Sequence, residues 1–272
     1  MLSEEQKKDV AGRYFLPRNV EEAKRMQNQH EWVKGSAHGL ILAPIDLKRS
    51  GMRVLDAATA DGYWMKDAKR VFPEDTEFQY PPVDVFEIVQ QNLIEEFPAA
   101  WNNAFDFVHQ RFVIPLFKAD EVPQVISHLA GCVKPGGWMQ LVEMDFQTPV
   151  SQPIESCKAV QAFHKLTSSV VSDPLAATKL ADRLSHAGFV NVDYKAVDML
   201  AGSAHPDPEL GERGLQNLLS ILGFFQSFTG PEIIGFNEQE WTDLPKQLAE
   251  EMRKYHFALR VYFVWGQKPG EE

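Results

Sequence analysis

Residues 54–64 read VLDAATADGYW, and the fold turns on this stretch. The apolar run from Met52 to Leu55 has the character of a strand covered on both faces, and Asp56 closes it with a carboxylate. Ala57, Ala58, Thr59 and Ala60 are small enough for backbone and ligand to approach closely, and Gly62 can take the positive φ that such a bend needs. Beyond it Tyr63, Trp64, Met65, Ala68 and Val71 recur at helical spacing until Pro73 stops them. A buried strand, an acidic bend and a helix start form the unit that holds a nucleotide-like cofactor at the carboxyl edge of an open α/β sheet, where the helix N-terminus presents free N–H groups. The same unit also occurs as plain packing, so the bend alone assigns no function.

The flanking chain predicts the rest of such a sheet. Upstream, Asn19 is placed to cap a helix carrying Val20, Ala23, Met26, His30 and Val33, which Gly35 should end. HGLILAPIDL (residues 38–47) then forms an apolar connector into the first strand. Downstream, strands are predicted over 77–80, 85–89, 104–108 and 138–144. The 104–108 strand runs out on His109, Gln110 and Arg111, and Lys134-Pro135-Gly136-Gly137 should turn the chain into 138–144. Between these two strands a helix over 121–133 carries Val122, Val125, Ile126 and Leu129 on one face. Strands and helices alternating in this way predict a parallel, helix-covered sheet with right-handed crossovers. In the second half, helices are predicted over 154–171, 175–187, 208–228 and 238–257, and strands over 191–197 and 259–265. Nothing in the composition marks a linker, so a single domain over 1–272 is expected: a helical arm over 1–46, a cofactor-side half over 47–147, and a substrate-side half with a helical lid over 148–272.

With 44% hydrophobic and 24% charged residues, the chain has the balance of a soluble globular protein. A net charge of -11 argues against nucleic acid as a partner, because a phosphate backbone would meet an acidic field. No apolar run approaches the ~20 residues that span a bilayer, and the start MLSEEQKKDV is charged, so no membrane partner and a cytoplasmic location are expected. Cys132 and Cys157 lack metal-ligand spacing and read as buried free thiols, and no metal is expected. Oligomeric state is not readable from these features.

In order along the chain, YFLP, EEAKRMQNQH, GLILAPIDL, VLDAATADGYWMKDAK, FDFVHQRF, VKPGGWMQLVE, HAGFVNV and YFVWGQKP resemble the class I S-adenosylmethionine-dependent methyltransferases, in particular the branch common in fungal secondary metabolism. The resemblance covers nearly the whole chain. It implies an α/β, Rossmann-like fold of seven strands, the last antiparallel and inserted between its neighbours, with the last two long helices as a lid. It implies S-adenosylmethionine as cofactor: Asp56 and the bend with Ala58, Thr59 and Gly62 at its methionine end, Gln91, Asn92 and Leu93 beside its adenine, and His109 and Arg111 facing sulfonium and substrate. Tyr14, Gln29 and His30 match an N-terminal arm that folds over the cofactor. Two departures predict that binding is weakened or lost. The family's Gly-x-Gly-x-Gly here reads Ala58, Ala60, Gly62 with Asp61 adding negative charge, and Pro81-Pro82 stand where an acid should hold the ribose, the nearest carboxylate being Asp84.

The expected activity is O- or N-methylation of a mostly apolar small molecule, with His109 the first candidate base and Arg111 and Glu143 as further catalytic candidates. A chain that has kept the fold and dropped methyl transfer, acting as a cyclase or pericyclase, is the second reading, and a non-catalytic pathway regulator the third. Phe224, Phe225 and Phe228 read first as core; under a lid they would line an apolar pocket with Trp32, Tyr14 and Phe15.

Overall fold

Asn19 caps the first helix by accepting the Glu22 N–H, and α1 (Val20–Ala37) begins there with Glu21 and Glu22 at its positive end. These and the following features are those of a computed structural model, which describes residues 19–79, 83–84, 87–88, 92–148, 150 and 154–270. Gly35 does not end α1. The helix continues to Ala37 and closes on His38, which takes the left-handed conformation at φ 58°. A Cβ at Gly35 would lie 2.3 Å from Leu210, so that glycine makes room for a crossing helix.

Six strands form the main sheet, in the order β2-β1-β5-β6-β8-β7. β1 (Arg53–Ala57) runs parallel to β2 (Glu77–Gln79) on one side and to β5 (Phe105–Arg111) on the other, and β6 (Val133–Asp145) continues the parallel set. β8 (Phe257–Gln267) lies antiparallel between β6 and β7 (Val190–Ala201), the expected inserted reversal. The strand expected over 85–89, third along the chain, falls partly outside the described residues. Its described part, β4 (Glu87–Ile88), pairs with β3 (Val83–Asp84) as a separate antiparallel ribbon, so among the described residues the sheet ends at β2. Two prolines follow β2 in sequence and have no N–H to extend a ladder.

Three other boundaries differ from the sequence reading. Lys134 to Gly137 is not a turn but an irregular part of β6, with a register shift against β5 between Phe105 and Phe107. Gly137 is needed there: a Cβ would stand 2.9 Å from the Lys134 carbonyl oxygen and 3.0 Å from that of Asp106. β5 extends through Arg111, so His109 and Gln110 are strand residues. α2 (Tyr63–Ala68) gives way to turns before Phe72, whose ring is nonetheless buried against Phe78 of β2 and Phe107 of β5.

The remaining helices are α3 (Val122–Cys132), α4 (Lys158–Val170), α5 (Leu180–His186), α6 (Pro208–Phe228) and α7 (Glu238–Lys254). α7 starts on a capping box from Asn237 and Glu240 and stops at Lys254, because the chain enters β8 at Phe257. α6 lies against α1 through Trp32, which is fully buried and donates its Nε1–H to the Leu200 carbonyl at 2.7 Å. A Cβ on Gly214 of α6 would meet that ring at 2.6 Å. Trp32 is therefore core and not the pocket lining that the lid reading offered. Gln140, fully buried in β6, fixes the apolar connector by accepting the N–H groups of Leu42 and Ala43 and donating to the Leu40 carbonyl. Cys132 and Cys157 are buried and unpaired. Among the described residues no helix is long and apolar enough to cross a membrane.

Candidate active site

Parallel pairing sets Asp56 of β1 opposite His109 of β5, and both side chains lie at the carboxyl edge of the sheet. His109 Nδ1 is 2.7 Å from Asp56 Oδ1, and Trp64 of α2 stacks on the imidazole with 3.9 Å between centroids and 6° between planes. Burial pushes the His109 pKa down against the pull of the Asp56 carboxylate, so the ring is neutral. A carboxylate only accepts, so Nδ1 carries the proton and Nε2 keeps its lone pair. Nε2, Asp56 Oδ2 and the Thr59 hydroxyl are all buried without a hydrogen-bond partner. Such atoms cost about 1–3 kcal/mol each when left unmet, and three of them around one bend suit a polar ligand.

The bend keeps its shape without its glycines. Ala58, Ala60 and Gly62 have φ of 59°, 53° and 72°. An L-residue there costs roughly 1–2 kcal/mol, a strain carried where glycine would carry none. Asp61 is engaged: Oδ1 accepts the Tyr63 N–H at 3.1 Å in a local turn at the start of α2, and Oδ2 accepts from Gln27 of α1 at 2.8 Å. Beside the bend an open groove of about 810 Å³ runs between α1 and the start of α6, with Gln27, Glu31, Tyr63 and Arg213 in its walls. The residues present thus fit the methionine end of the implied cofactor, whose polar groups would meet the unmet Asp56 Oδ2 and Thr59 hydroxyl, while His109 Nε2 stays free.

Arg111 ends β5 with Nη2 3.3 Å from His30 Nδ1. Burial lowers its pKa to about 10, while the charges of Asp56, Asp61 and Glu143 act to keep it protonated. His30 is fully buried, and burial followed by the Arg111 charge brings its pKa down to about 4. Its neutral ring accepts from Arg111 at Nδ1 and donates from Nε2 to Asp67 Oδ2 at 2.9 Å. Lys34 Nζ reaches the same oxygen at 2.6 Å. His30, Glu31 and Asp67 bring possible ligand atoms within 4.8 Å of one another, but the shared Asp67 oxygen already receives the Lys34 ammonium, which is poor company for a metal ion.

Glu143 holds the turn after β5. Its Oε1 accepts from Gln110 Nε2 at 2.6 Å, from the Val113 N–H at 2.8 Å and from the Ile114 N–H at 2.9 Å, beside Phe112 at φ 57°. Its Oε2 is buried and unpartnered. Burial raises its pKa to about 7 despite those donors. The folded state therefore favours the protonated form, and stability falls as pH rises from the ordinary carboxylate range through about 7. Glu143→Gln keeps the accepting oxygen and removes that loss. Urea denaturation should show the variant more stable than the parent at pH 8, by up to about 3 kcal/mol, with the gain nearly gone at pH 5. An equal effect at both values would refute the assignment.

Leu93 is buried in the cluster that contains Leu55 and Ala57, and its carbonyl lies 3.0 Å from His128 Nδ1. Asn92 Oδ1 accepts the Ile94 N–H at 3.2 Å in a local turn. Tyr14, Phe15, Pro81, Pro82 and Gln91 lie outside the described residues, as does the side chain of Asp84. Phe225 is buried while Phe228 is half exposed on the same helix. Trp64, Asp67 and Lys34 were not among the predicted site residues. No motif joins Asp67 or Lys34 to His30, and only the three-dimensional pairing of α1 with α2 brings them together.

Residues 28–194 match the family model described as a methyltransferase domain. Over 268 residues the chain is 35% identical to the N-methyltransferase verN of Clonostachys rogersoniana, covering 94% of this chain and 93% of that one. It is 27% identical over 279 residues to the N-methyltransferase gliN of Aspergillus fumigatus, with 96% and 98% covered. A solved S-adenosylmethionine-dependent methyltransferase from Archaeoglobus fulgidus matches with a TM-score of 0.51 at 11% identity, covering 92% of this chain and all 100% of that one, a likeness of fold alone.

Proposed function

The chain belongs to the class I S-adenosylmethionine-dependent methyltransferases of fungal secondary metabolism, and on that premise we propose that it N-methylates a small, largely apolar natural product with His109 as the base. The observation that carries this reading is the Asp56–His109 pair, whose unengaged Nε2 lone pair faces no protein donor. The names of the relatives support nitrogen as the acceptor atom.

When bound, S-adenosylmethionine supplies an electrophilic methyl group on a positively charged sulfur. Asp56 Oδ2, the Thr59 hydroxyl and the main chain from Ala58 to Gly62 would hold its methionine end, and Asn92 and Leu93 its adenine. Asp56 fixes the His109 tautomer and offsets the positive charge once the imidazole takes a proton from the acceptor N–H. Burial, with a smaller contribution from the Arg111 charge, keeps the ring neutral and able to accept until then. Trp64 stacked on one face holds the ring orientation that a positioned base requires.

The test uses a cofactor carrying a trideuterated methyl group and a panel of secondary amides, amines and phenols, read by tandem mass spectrometry. Label on nitrogen is expected, and His109→Gln should lower kcat about a hundredfold or more with S-adenosylhomocysteine affinity little changed. Label on oxygen alone, or an unchanged kcat in the variant, contradicts the proposal.

A further inference from the structure

β7 is the outermost strand of the main sheet, and among the described residues no strand pairs with its outer side. One end of that side is closed: Trp32 donates to the Leu200 carbonyl, which therefore points away from β8. The register with β8 is unbroken from Asp193 to Ala201, and alternate residues of an antiparallel strand turn their backbone groups to opposite sides. Asp198, Ala196 and Tyr194 thus also face outward. So does Val192, because the register shift falls before it, where Asn191 takes the left-handed conformation at φ 49°. Asp193 to Ala196 are all exposed, and Tyr194 is 52% so. Lacking a partner strand, the Tyr194 N–H donates instead to the adjacent Asp193 Oδ1 at 2.8 Å.

The charges along this edge complement themselves. Asp193 and Lys195 flank Tyr194 and lie on one face of the strand. A two-fold axis through Tyr194 sets two copies of β7 antiparallel, with Asp193 of each copy opposite Lys195 of the other and Val192 opposite Ala196. Directly opposed side chains stand about 4.5–5.5 Å apart at Cβ, within reach of an ammonium–carboxylate pair. An axis through Asp193 or Lys195 sets like charge on like instead. Among the described residues Lys195 forms no ion pair, whereas Asp198, the next charge along, is already held by Arg260 at 2.7 and 2.9 Å. On the other face Tyr194 lies 5.7 Å from Tyr262 of β8, so two copies in this register continue a row of tyrosines across the seam.

We propose that β7 is a docking edge for a second copy of this chain, and that the two six-stranded sheets join there as one continuous sheet. A two-fold contact requires one patch to fit itself, which this edge does in a single register. Pairing hands the Tyr194 N–H to the Tyr194 carbonyl of the second copy and frees Asp193 for Lys195 of that copy. Three strands separate β7 from β1, so the dimer leaves the bend after β1 untouched, and the proposal does not depend on the reaction assigned to the chain.

Sedimentation velocity of the full chain over about 1–200 µM tests this, with half-dissociation of a two-chain species expected at about 10–50 µM. Asp193→Lys and Lys195→Asp each turn both cross-copy pairs repulsive and should weaken the dimer about thirtyfold or more. The double charge swap restores opposite charges and should return to within about threefold of the parent. Ala196→Pro removes an outward N–H without touching the ladder to β8; it should weaken the dimer about tenfold or more and melt close to the parent, since an edge strand tolerates proline there. A parent that stays monomeric throughout overturns the proposal and makes the two charges guards against edge pairing. A dimer indifferent to the single reversals or to the proline, or one that the double swap fails to restore, overturns it as well.

Discussion

Asp56→Ala is expected to weaken S-adenosylhomocysteine at least a hundredfold and to abolish measurable methyl transfer. Two interactions go with the carboxylate. One is the His109 contact at 2.7 Å, which fixes the base; the other is the buried, unmet Oδ2, which the cofactor would engage. Hydrogen bonds to a charged group are worth about 1.5–3 kcal/mol each, so losing the ligand contact and the order of the bend together costs about 3 kcal/mol or more of binding. Asp56→Asn separates the two. Its Oδ1 still accepts from His109 Nδ1, while an amide nitrogen replaces the free oxygen, so cofactor affinity should fall about tenfold and the fold should hold. Calorimetric titration of both variants checks the order, parent tightest and alanine weakest; equal affinities would remove Asp56 from the site.

Trp32→Ala carries the largest expected cost in stability, about 4–5 kcal/mol, or a fall in Tm of roughly 10–15 °C by calorimetry. The side chain is fully buried among Leu215 and Leu218 of α6 and Met199 and Ala201 of β7, and it donates to the Leu200 carbonyl. Truncation opens a cavity and strands that carbonyl at once. Collapse cannot close it, because α6 already approaches through Gly214 as nearly as a helix can. Trp32→Phe should lose less than half as much. A loss below about 1 kcal/mol in the alanine variant would show that α1 does not pack on α6 through this ring.

Much of the architecture was legible because it is written in local chemistry. Asn19 is a cap, Pro208 opens α6 at the predicted residue, and the apolar strands alternate with helices at the spacing of a parallel sheet. What was not legible depends on partners distant in sequence. Gly35 looks like a helix stop until Leu210 is seen crossing it, and Gly137 looks like a turn until its neighbours leave no room for a side chain. The bend illustrates the same limit from the other side: Ala58 and Ala60 look like lost function in sequence, yet the backbone takes the left-handed conformation at both positions. His109 was legible as a residue at the sheet edge. Its bond to Asp56 and the tautomer that follows come from parallel register, which no motif states. Glu143 read as a catalytic candidate, whereas three donors hold one of its oxygens at the turn after β5.

Isothermal titration of the parent chain with S-adenosylhomocysteine tests most directly whether the bend after β1 is a cofactor site. Saturable binding at one site per chain, in the micromolar range and pushed at least a hundredfold weaker by Asp56→Ala, is the expected result. Absence of heat up to millimolar concentration, or binding indifferent to Asp56, would contradict it.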